Sequence, residues 1–253
     1  MWDPGQYARF SDERSRPFHD LLGRVFAPAP RYVVDVGCGS GELTALLARR
    51  WPEADVDGVD SSAEMLARAP TDVPRLSFIE ADATDWRPER APDLVVSNAA
   101  LQWVPGHEQV VRDLAAALAP GGWLALQVPG NFDAPSHVLL RETASRWLPG
   151  LDLRRAPVLD PAGYATLLGG CGLTVDAWET TYLQLLHGQD PVLEWMRGTA
   201  LRPVLAELPA AEQPGFLAEY GAALRTAYPA GPHGTALPFR RVFAVGRGED
   251  TPL

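Results

Sequence analysis

The chain has 253 residues, with 22 Lys plus Arg against 32 Asp plus Glu and a formal net charge of −10. A chain this long buries roughly 70–75% of its unfolded surface, so it needs no disulfide or metal staple to fold. Apolar residues at 46% and charged residues at 21% exclude disordered and fibrous classes, and the acidic balance offers no basic stripe for nucleic acid.

The opening Met1-Trp2-Asp3-Pro4 lacks the basic segment and apolar core of a secretory signal, and no run approaches 18 consecutive apolar residues. The expected compartment is the cytoplasm, with no membrane partner. Cys38 and Cys171 are too few for a disulfide framework or a four-cysteine zinc site, and both read as small buried residues. No metal site is expected.

Tyr32 to Val36 is the clearest strand. It runs into Gly37-Cys38-Gly39-Ser40-Gly41 and then a helix with Leu43, Leu46 and Leu47 at helical spacing. A second strand spans Val56 to Val59, although Asp57 is unusual in a buried strand. It ends in Asp60-Ser61-Ser62 before a helix carrying Met65 and Leu66. Leu76 to Ile79 is the third strand, Leu94 to Asn98 the fourth and Trp123 to Val128 the fifth, with a helix over Val110 to Leu118 before the last of these. Helices follow at Val138 to Trp147 and Tyr164 to Leu168, then a sixth strand at Val175 to Leu183 and a seventh at Phe239 to Val245. The roughly fifty residues between the last two strands far exceed a hairpin loop. Helical patterns at Val192 to Met196 and Phe216 to Leu224 read as an inserted cap.

Alternating strands and helices predict an α/β doubly wound sheet of seven strands, mostly parallel, with an antiparallel last strand and a helical cap. We expect a single domain over 1–253: an N-terminal lid segment (1–30), a cofactor-binding core (31–130), a substrate side with strand six (131–186), the cap (187–237) and strand seven (238–247).

A glycine-rich turn between a strand and a helix brings backbone N–H groups close to a ligand. The dinucleotide spacing would need Gly or Ala at position 42, which is Glu, and a phosphate-binding P-loop would need a Lys that the turn lacks. The pattern is D-x-G-x-G-x-G from Asp35 through Gly37, Gly39 and Gly41. An acid beside the loop repels pyrophosphate and suits a ligand with an ammonium group. Asp60, nineteen residues past Gly41, ends the second strand, where a carboxylate can accept both ribose hydroxyls. Asp82 ends the third, placed to accept from an adenine amino group, and Asn98 ends the fourth, near the centre of the expected crevice. Singly each reads as a cap or turn residue; together, at successive strand ends, they read as a site.

In these residues the chain resembles the class I S-adenosylmethionine-dependent methyltransferases, with a Rossmann-like fold. The resemblance implies that Gly37, Gly39 and Gly41 pass under the methionine portion and that Asp35 faces its amino end. It also implies that Asp60 with Ser61 holds the ribose, Asp82 and Ala83 read the adenine, and Asn98 lines the transfer site. Ser97-Asn98-Ala99-Ala100 stands where an amide- or DNA-amino-methylating enzyme would carry N/D-P-P-Y/F.

A closer resemblance, to the trans-aconitate 2-methyltransferase family, rests on segments outside that core. They are Trp2-Asp3-Pro4 with Tyr7, Phe10 and Arg14-Ser15-Arg16-Pro17; Asn98 to Pro105; Pro135-Ser136-His137; Trp178 to Tyr182; Leu201-Arg202-Pro203; and Pro238 to Phe243. The stretch from Leu148 to Pro161, with Arg154-Arg155, departs from the pattern. The family implies methyl transfer to one carboxylate of trans-aconitate, giving a monomethyl ester, with a small polycarboxylate as the partner.

A polycarboxylate needs cationic donors, because an unpaired carboxylate is costly to desolvate. The expected topology sends Asn98, Gln102, Trp103, His137, Tyr182 and Arg241 toward one crevice, with Arg202 on the cap. Arg16 is assigned to substrate and Arg14 to the cofactor's carboxylate. Arg240 and Arg241 are adjacent in a strand, so one points inward, and Arg241 is chosen. Trp103 is divided between packing and site, and Arg141 is read as a solvated helix residue. A carboxylate is already ionised at neutral pH, so no general base is assigned; Gln102, Trp103 and Tyr182 orient the reacting group while arginines hold the others. Alternatives are another small acid, a phenol or an amine as acceptor, the last two requiring a base such as His137. A non-catalytic S-adenosylmethionine-binding protein is the reading from a different class.

Overall fold

The apolar runs assemble into one eight-stranded sheet in a computed structural model that describes residues 11–153 and 158–250, with side chains described from residue 15. The predicted Trp2-Asp3-Pro4, Tyr7, Phe10 and Arg154-Arg155 lie outside the described residues, as does the Arg14 side chain.

Helix α1 covers Ser11–Leu22, and strand β1 covers Tyr32–Val36. All five residues of β1 are buried, as a central parallel strand covered on both faces must be. Then come α2 (Thr44–Arg50), β2 (Asp55–Asp60), α3 (Ala63–Leu66), β3 (Leu76–Glu80), β4 (Leu94–Asn98), a 3₁₀ turn (Leu101–Trp103), α4 (His107–Ala117) and β5 (Trp123–Pro129). Asp57 is tolerated in β2 because the Tyr32 hydroxyl donates to its Oδ2 at 2.7 Å. The remaining elements are α5 (Pro135–Trp147), α6 (Pro161–Gly169), β6 (Thr174–Leu186), α7 (Pro191–Arg197), α8 (Arg202–Glu207), α9 (Gln213–Ala227), β7 (Ala230–Gly231) and β8 (Gly234–Arg247).

The strand order is β3-β2-β1-β4-β5-β8-β6, with β7 paired to β8. Strands β1 to β5 pair in parallel, and β8 lies antiparallel to β5, Gln127 opposite Phe243 and Pro129 opposite Arg241. The order turns back between β1 and β4, where an open sheet of this kind binds ligands outside its carboxyl ends. Seven strands were expected. The eighth, β7, is a two-residue Ala-Gly arm that forms a hairpin with the start of β8, too short to carry any periodic signal.

The chain packs as two compact units. One, the core unit, comprises Arg14–Pro129, Val158–Thr180 and Arg241–Leu253; the other, the helical unit, comprises Met1–Glu13, Gly130–Pro157 and Thr181–Arg240. In the core unit Val34, Val36, Val95, Leu124 and Leu126 of the strands pack with Val111 and Leu114 of α4 and with Tyr164 and Leu168 of α6. The helical unit has its own apolar centre: Leu140 and Ala144 of α5 with Trp195 and Met196 of α7, Val204 of α8, and Phe216, Tyr220 and Leu224 of α9. The Trp147 ring meets Phe216 edge-on, centroids 6.1 Å apart. Each cluster buries several large side chains, and each such burial stabilises by about 1.5–3 kcal/mol.

Candidate active site

The loop after β1 is shaped by glycines at positive φ: Gly37 at 78°, Gly39 at 57° and Gly41 at 73°. A Cβ on Gly37 would lie 2.1 Å from the Ala100 Cβ, and one on Gly41 would lie 2.4 Å from the Phe78 ring. Both conformation and space therefore demand glycine at these two positions. The N–H groups of Gly37 and Cys38 donate to the Val59 carbonyl at 2.7 and 3.0 Å, tying the loop to β2.

Asp60 holds the loop from the end of β2. Its Oδ2 accepts from Gly39 N–H at 2.8 Å and its Oδ1 from Ser62 N–H at 2.9 Å. Each carboxylate oxygen keeps capacity to accept again, so the same group can grip the loop and a ligand hydroxyl. Ser61 beside it is exposed. Asp82, just beyond β3, is exposed, and its Oδ1 accepts from Thr84 N–H at 2.8 Å and from the Thr84 hydroxyl at 2.7 Å. Those bonds hold its pKa below the ordinary carboxylate range. Ala83, between them, is half-buried.

Asp35, 3% exposed within β1, accepts from the Thr44 hydroxyl at 2.7 Å. Burial pushes its pKa up to about 6; the Thr44 bond opposes that shift and the Asp60 charge adds to it. Thr44 was not singled out from the sequence. The signal was a polar residue, fully buried, opening the helix that follows the glycines. The two cysteines are half-buried rather than buried, because Cys38 sits in this loop and Cys171 in the turn after α6.

At the ends of β4 and β5 the polar groups are left unsatisfied. Asn98 Oδ1, Gln102 Oε1 and Gln127 Nε2 are buried and have no hydrogen-bond partner among the described residues. Ala99, between Asn98 and the 3₁₀ turn, has φ of 55°, strained for a residue with a side chain. Its N–H donates to the Gln127 carbonyl at 2.8 Å, and its carbonyl accepts from Gln102 Nε2 at 2.5 Å. Strain and orphaned buried polar atoms cluster where a ligand completes the structure. The tight glycine loop held by Asp60 and the orphaned Asn98 oxygen supply the mixed donors and acceptors that suit the polar groups of an adenosyl cofactor at this edge.

Arg241 is 7% exposed, and its Nη1 stands 3.5 Å from Gln127 Oε1. Its neighbour Arg240 is half-buried, its N–H donating to Asn131 Oδ1 at 2.8 Å. Gln127 was not singled out either, although a lone amide in the run Trp-Leu-Ala-Leu-Gln-Val-Pro was the clue. Trp103, expected to be half packed, is 66% exposed, because the 3₁₀ turn directs Leu101 and Gln102 inward instead. Arg16 on α1 is exposed.

In the helical unit, His137 is half-buried on α5, its Nδ1 3.2 Å from the Ser136 hydroxyl and its ring edge-on to Phe132 at 6.0 Å. Burial, helped by the Arg141 cation, pushes its pKa down to about 4. Arg141 itself is not a solvated residue: it is half-buried and its Nη1 donates to the Phe132 carbonyl at 2.6 Å. The carbonyl of Phe132, nine residues earlier and ahead of α5, draws it inward. Tyr182 on β6 is buried, and Arg202 at the start of α8 is exposed. The core unit thus brings Asp35, the three glycines, Asp60, Asn98 and Gln102 to one sheet edge. His137, Tyr182 and Arg202 lie in the helical unit. No helix among the described residues is long and apolar enough to cross a membrane.

Residues 33–122 match the methyltransferase domain family. Over 98% of its length the chain is 53% identical to a trans-aconitate 2-methyltransferase of Streptomyces avermitilis, covering 97% of that protein. It is 52% identical to the Rhodococcus jostii protein of the same name, covering 98% of this chain and 99% of that one. Among solved structures, the YcgJ protein from Bacillus subtilis is 16% identical with a TM-score of 0.60, covering 92% of this chain and all of that one. A Haemonchus contortus phosphoethanolamine N-methyltransferase in complex with S-adenosylhomocysteine is 18% identical with a TM-score of 0.55, covering 93% of this chain and 53% of that one. These two share the fold.

Proposed function

The chain belongs to the trans-aconitate 2-methyltransferase family, and from that premise we propose that it transfers a methyl group from S-adenosylmethionine to one carboxylate of trans-aconitate, giving a monomethyl ester. It is an S-adenosylmethionine-dependent methyltransferase. The observation that supports the reading is the glycine loop gripped by Asp60 after β1, together with three orphaned buried amide atoms in β4, the 3₁₀ turn after it and β5.

When bound, S-adenosylmethionine supplies a methyl group on a cationic sulfonium. Arg14, Asp35, Gly37, Gly39, Gly41, Asp60, Ser61, Asp82, Ala83 and Asn98 would hold it. A carboxylic acid of ordinary pKa, about 4, is ionised at neutral pH, so no side chain has to remove a proton from the acceptor. His137 fits that economy: pushed down to about 4, it is a weak proton acceptor, poorly suited to the base that a phenol or amine would need. The protein's task is to orient one carboxylate oxygen and exclude water, and orientation contributes several kcal/mol. Strong cationic contacts to the attacking oxygen would stabilise the ground state more than the transition state. Arg241, Arg16 and Arg202 are therefore assigned to the non-reacting carboxylates, with the neutral His137 ring as a hydrogen-bond donor to one of them, and Gln102, Trp103 and Tyr182 to orientation of the reacting one.

The test is methyl transfer from labelled S-adenosylmethionine to trans-aconitate, cis-aconitate, citrate and isopropylmalate, with the ester identified by mass. Transfer concentrated on trans-aconitate is expected, with a rate that does not climb between pH 6 and 8. Binding of S-adenosylmethionine with no acid esterified would move the acceptor to another class. Arg241→Met should raise KM about tenfold to a hundredfold with kcat retained, the size of a lost charge-assisted bond.

A further inference from the structure

Thr44 opens α2 just after the glycine loop and is fully buried. Its hydroxyl does not cap the helix, because Leu43 holds the cap position and no side chain bonds there. It reaches back past the loop and donates to Asp35 Oδ2 at 2.7 Å. A valine has nearly the same outline and no hydroxyl to desolvate, so packing alone would favour the aliphatic residue. What the hydroxyl adds is the one hydrogen-bond partner that the Asp35 carboxylate has among the described residues.

The other surroundings of Asp35 oppose its charge. Gly58 of β2 and Val96 of β4 pair with it in the sheet and offer no donor side chain. Asp60, at the end of β2, repels it, and the Cys38 thiol in the loop, raised mainly by burial, stays neutral. Burial is the largest influence and brings its pKa up to about 6, where charged and neutral forms are close in free energy and a single bond shifts the balance.

We propose that Thr44 is a positioning residue for the cofactor: its hydroxyl holds one Asp35 oxygen and keeps that carboxylate charged at the entry to the glycine loop, for the ammonium group of S-adenosylmethionine. The inference rests on the reading of Asp35 as the acid at the cofactor's amino end. The loop takes its shape from its glycines and from the Asp60 bond to Gly39, none of which Thr44 supplies. Thr44 therefore acts on the ligand through the charge of Asp35. An O–H donor stabilises a carboxylate over the protonated acid. Where Asp35 is protonated, binding of the ammonium group has to expel that proton, so affinity falls as pH drops below about 6. Loss of the hydroxyl moves this fall toward neutrality.

The experiment measures S-adenosylmethionine affinity by calorimetry at pH 6 and pH 7.5 for wild type, Thr44→Val, Thr44→Ser, Asp35→Asn and the double variant, with thermal midpoints alongside. Each variant is compared with wild type at the same pH, so titration of the cofactor's own amino group cancels. Thr44→Val is expected to move the fall from about pH 6 to about pH 7, weakening binding about fivefold at pH 6 and less than about twofold at pH 7.5. Thr44→Ser keeps the wild-type profile. Asp35→Asn weakens binding at both pH values, and adding Thr44→Val to it changes nothing further. An equal loss at both pH values in Thr44→Val would reduce Thr44 to structural support and overturn the proposal, as would a serine variant that behaves like the valine one. Asp35→Asn binding as tightly as wild type would take down the reading of Asp35 and the proposal together. A weakened Asp35→Asn beside an unaltered Thr44→Val would remove the proposal alone.

Discussion

In the helical unit the backbone of Ser136 is met from both sides: its N–H donates to the Tyr228 hydroxyl at 3.0 Å, and its carbonyl accepts from the Tyr220 hydroxyl at 2.8 Å. In the core unit Asn98, Gln102 and Gln127 each keep a buried polar atom unsatisfied. Both regions satisfy buried polar groups within their own packing, as the Thr44–Asp35 and His107–Tyr164 pairs do in the core unit, but in the core unit three amides also keep an unsatisfied atom near the ends of β4 and β5, where a ligand is expected. A folded chain tolerates orphans where a function repays their cost and satisfies them elsewhere.

The same contrast extends to charge. Each unit buries titratable groups against their charged form, among them the acid Asp35 in the core unit and the base His137 in the helical unit. The signs are opposite, so pH acts on them in opposite directions.

The largest expected effect comes from Gly37→Ala. It forces a side chain into positive φ and onto Ala100, about 1–3 kcal/mol for strain and a similar amount for overpacking. Calorimetry should show S-adenosylmethionine binding lost; retained affinity would mean that the loop is not the cofactor cradle and would remove the contrast between the units.

A second test uses pH. Asp35 has a folded pKa near 6 against about 4 unfolded, so the folded state holds its proton more tightly. Stability from this group is present below about pH 4 and is lost as pH rises to 6, a cost of roughly 3 kcal/mol at neutral pH. His137, near 4 folded and about 6.5 unfolded, is the reverse: its contribution is present above 6.5 and lost as pH falls toward 4, roughly 2–3 kcal/mol. In denaturant titrations Asp35→Asn should flatten the loss of stability between pH 4 and 6, and His137→Asn the loss on acidification below 6.5. If both variants shift the curve in one direction, the opposition is wrong.

The smallest effect belongs to the surface. Glu219 accepts from Arg146 at 2.5 Å and from the half-buried Trp147 indole at 2.7 Å, with Arg146 and Glu219 exposed. Glu219→Gln should leave the denaturant midpoint nearly unchanged, and any small shift should shrink in high salt.

The strands of the nucleotide-binding half were readable because they are buried on both faces and announce themselves as apolar runs: β1 and β4 match their expected limits residue for residue. The glycine loop was readable because positive φ leaves few substitutes for glycine. Asp60 was readable as a polar residue near the end of β2, but its bond to Gly39, twenty-one residues back, was not, since only folding brings those segments together. β7 escaped notice because two residues have no period.

Length, hydrophobic rhythm and the D-x-G-x-G-x-G turn therefore determined the strands of the sheet and the glycine loop after the first of them, since each is written in neighbours along the chain. Which polar groups find partners was decided by the tertiary structure. Thr44 beneath Asp35, the Phe132 carbonyl that draws in Arg141, and the pairing of Gln127 with Arg241 across 114 residues all depend on distances that close only when strands and helices pack. Hydrogen bonds are short-ranged and directional, so those between residues distant along the chain are encoded by no local pattern.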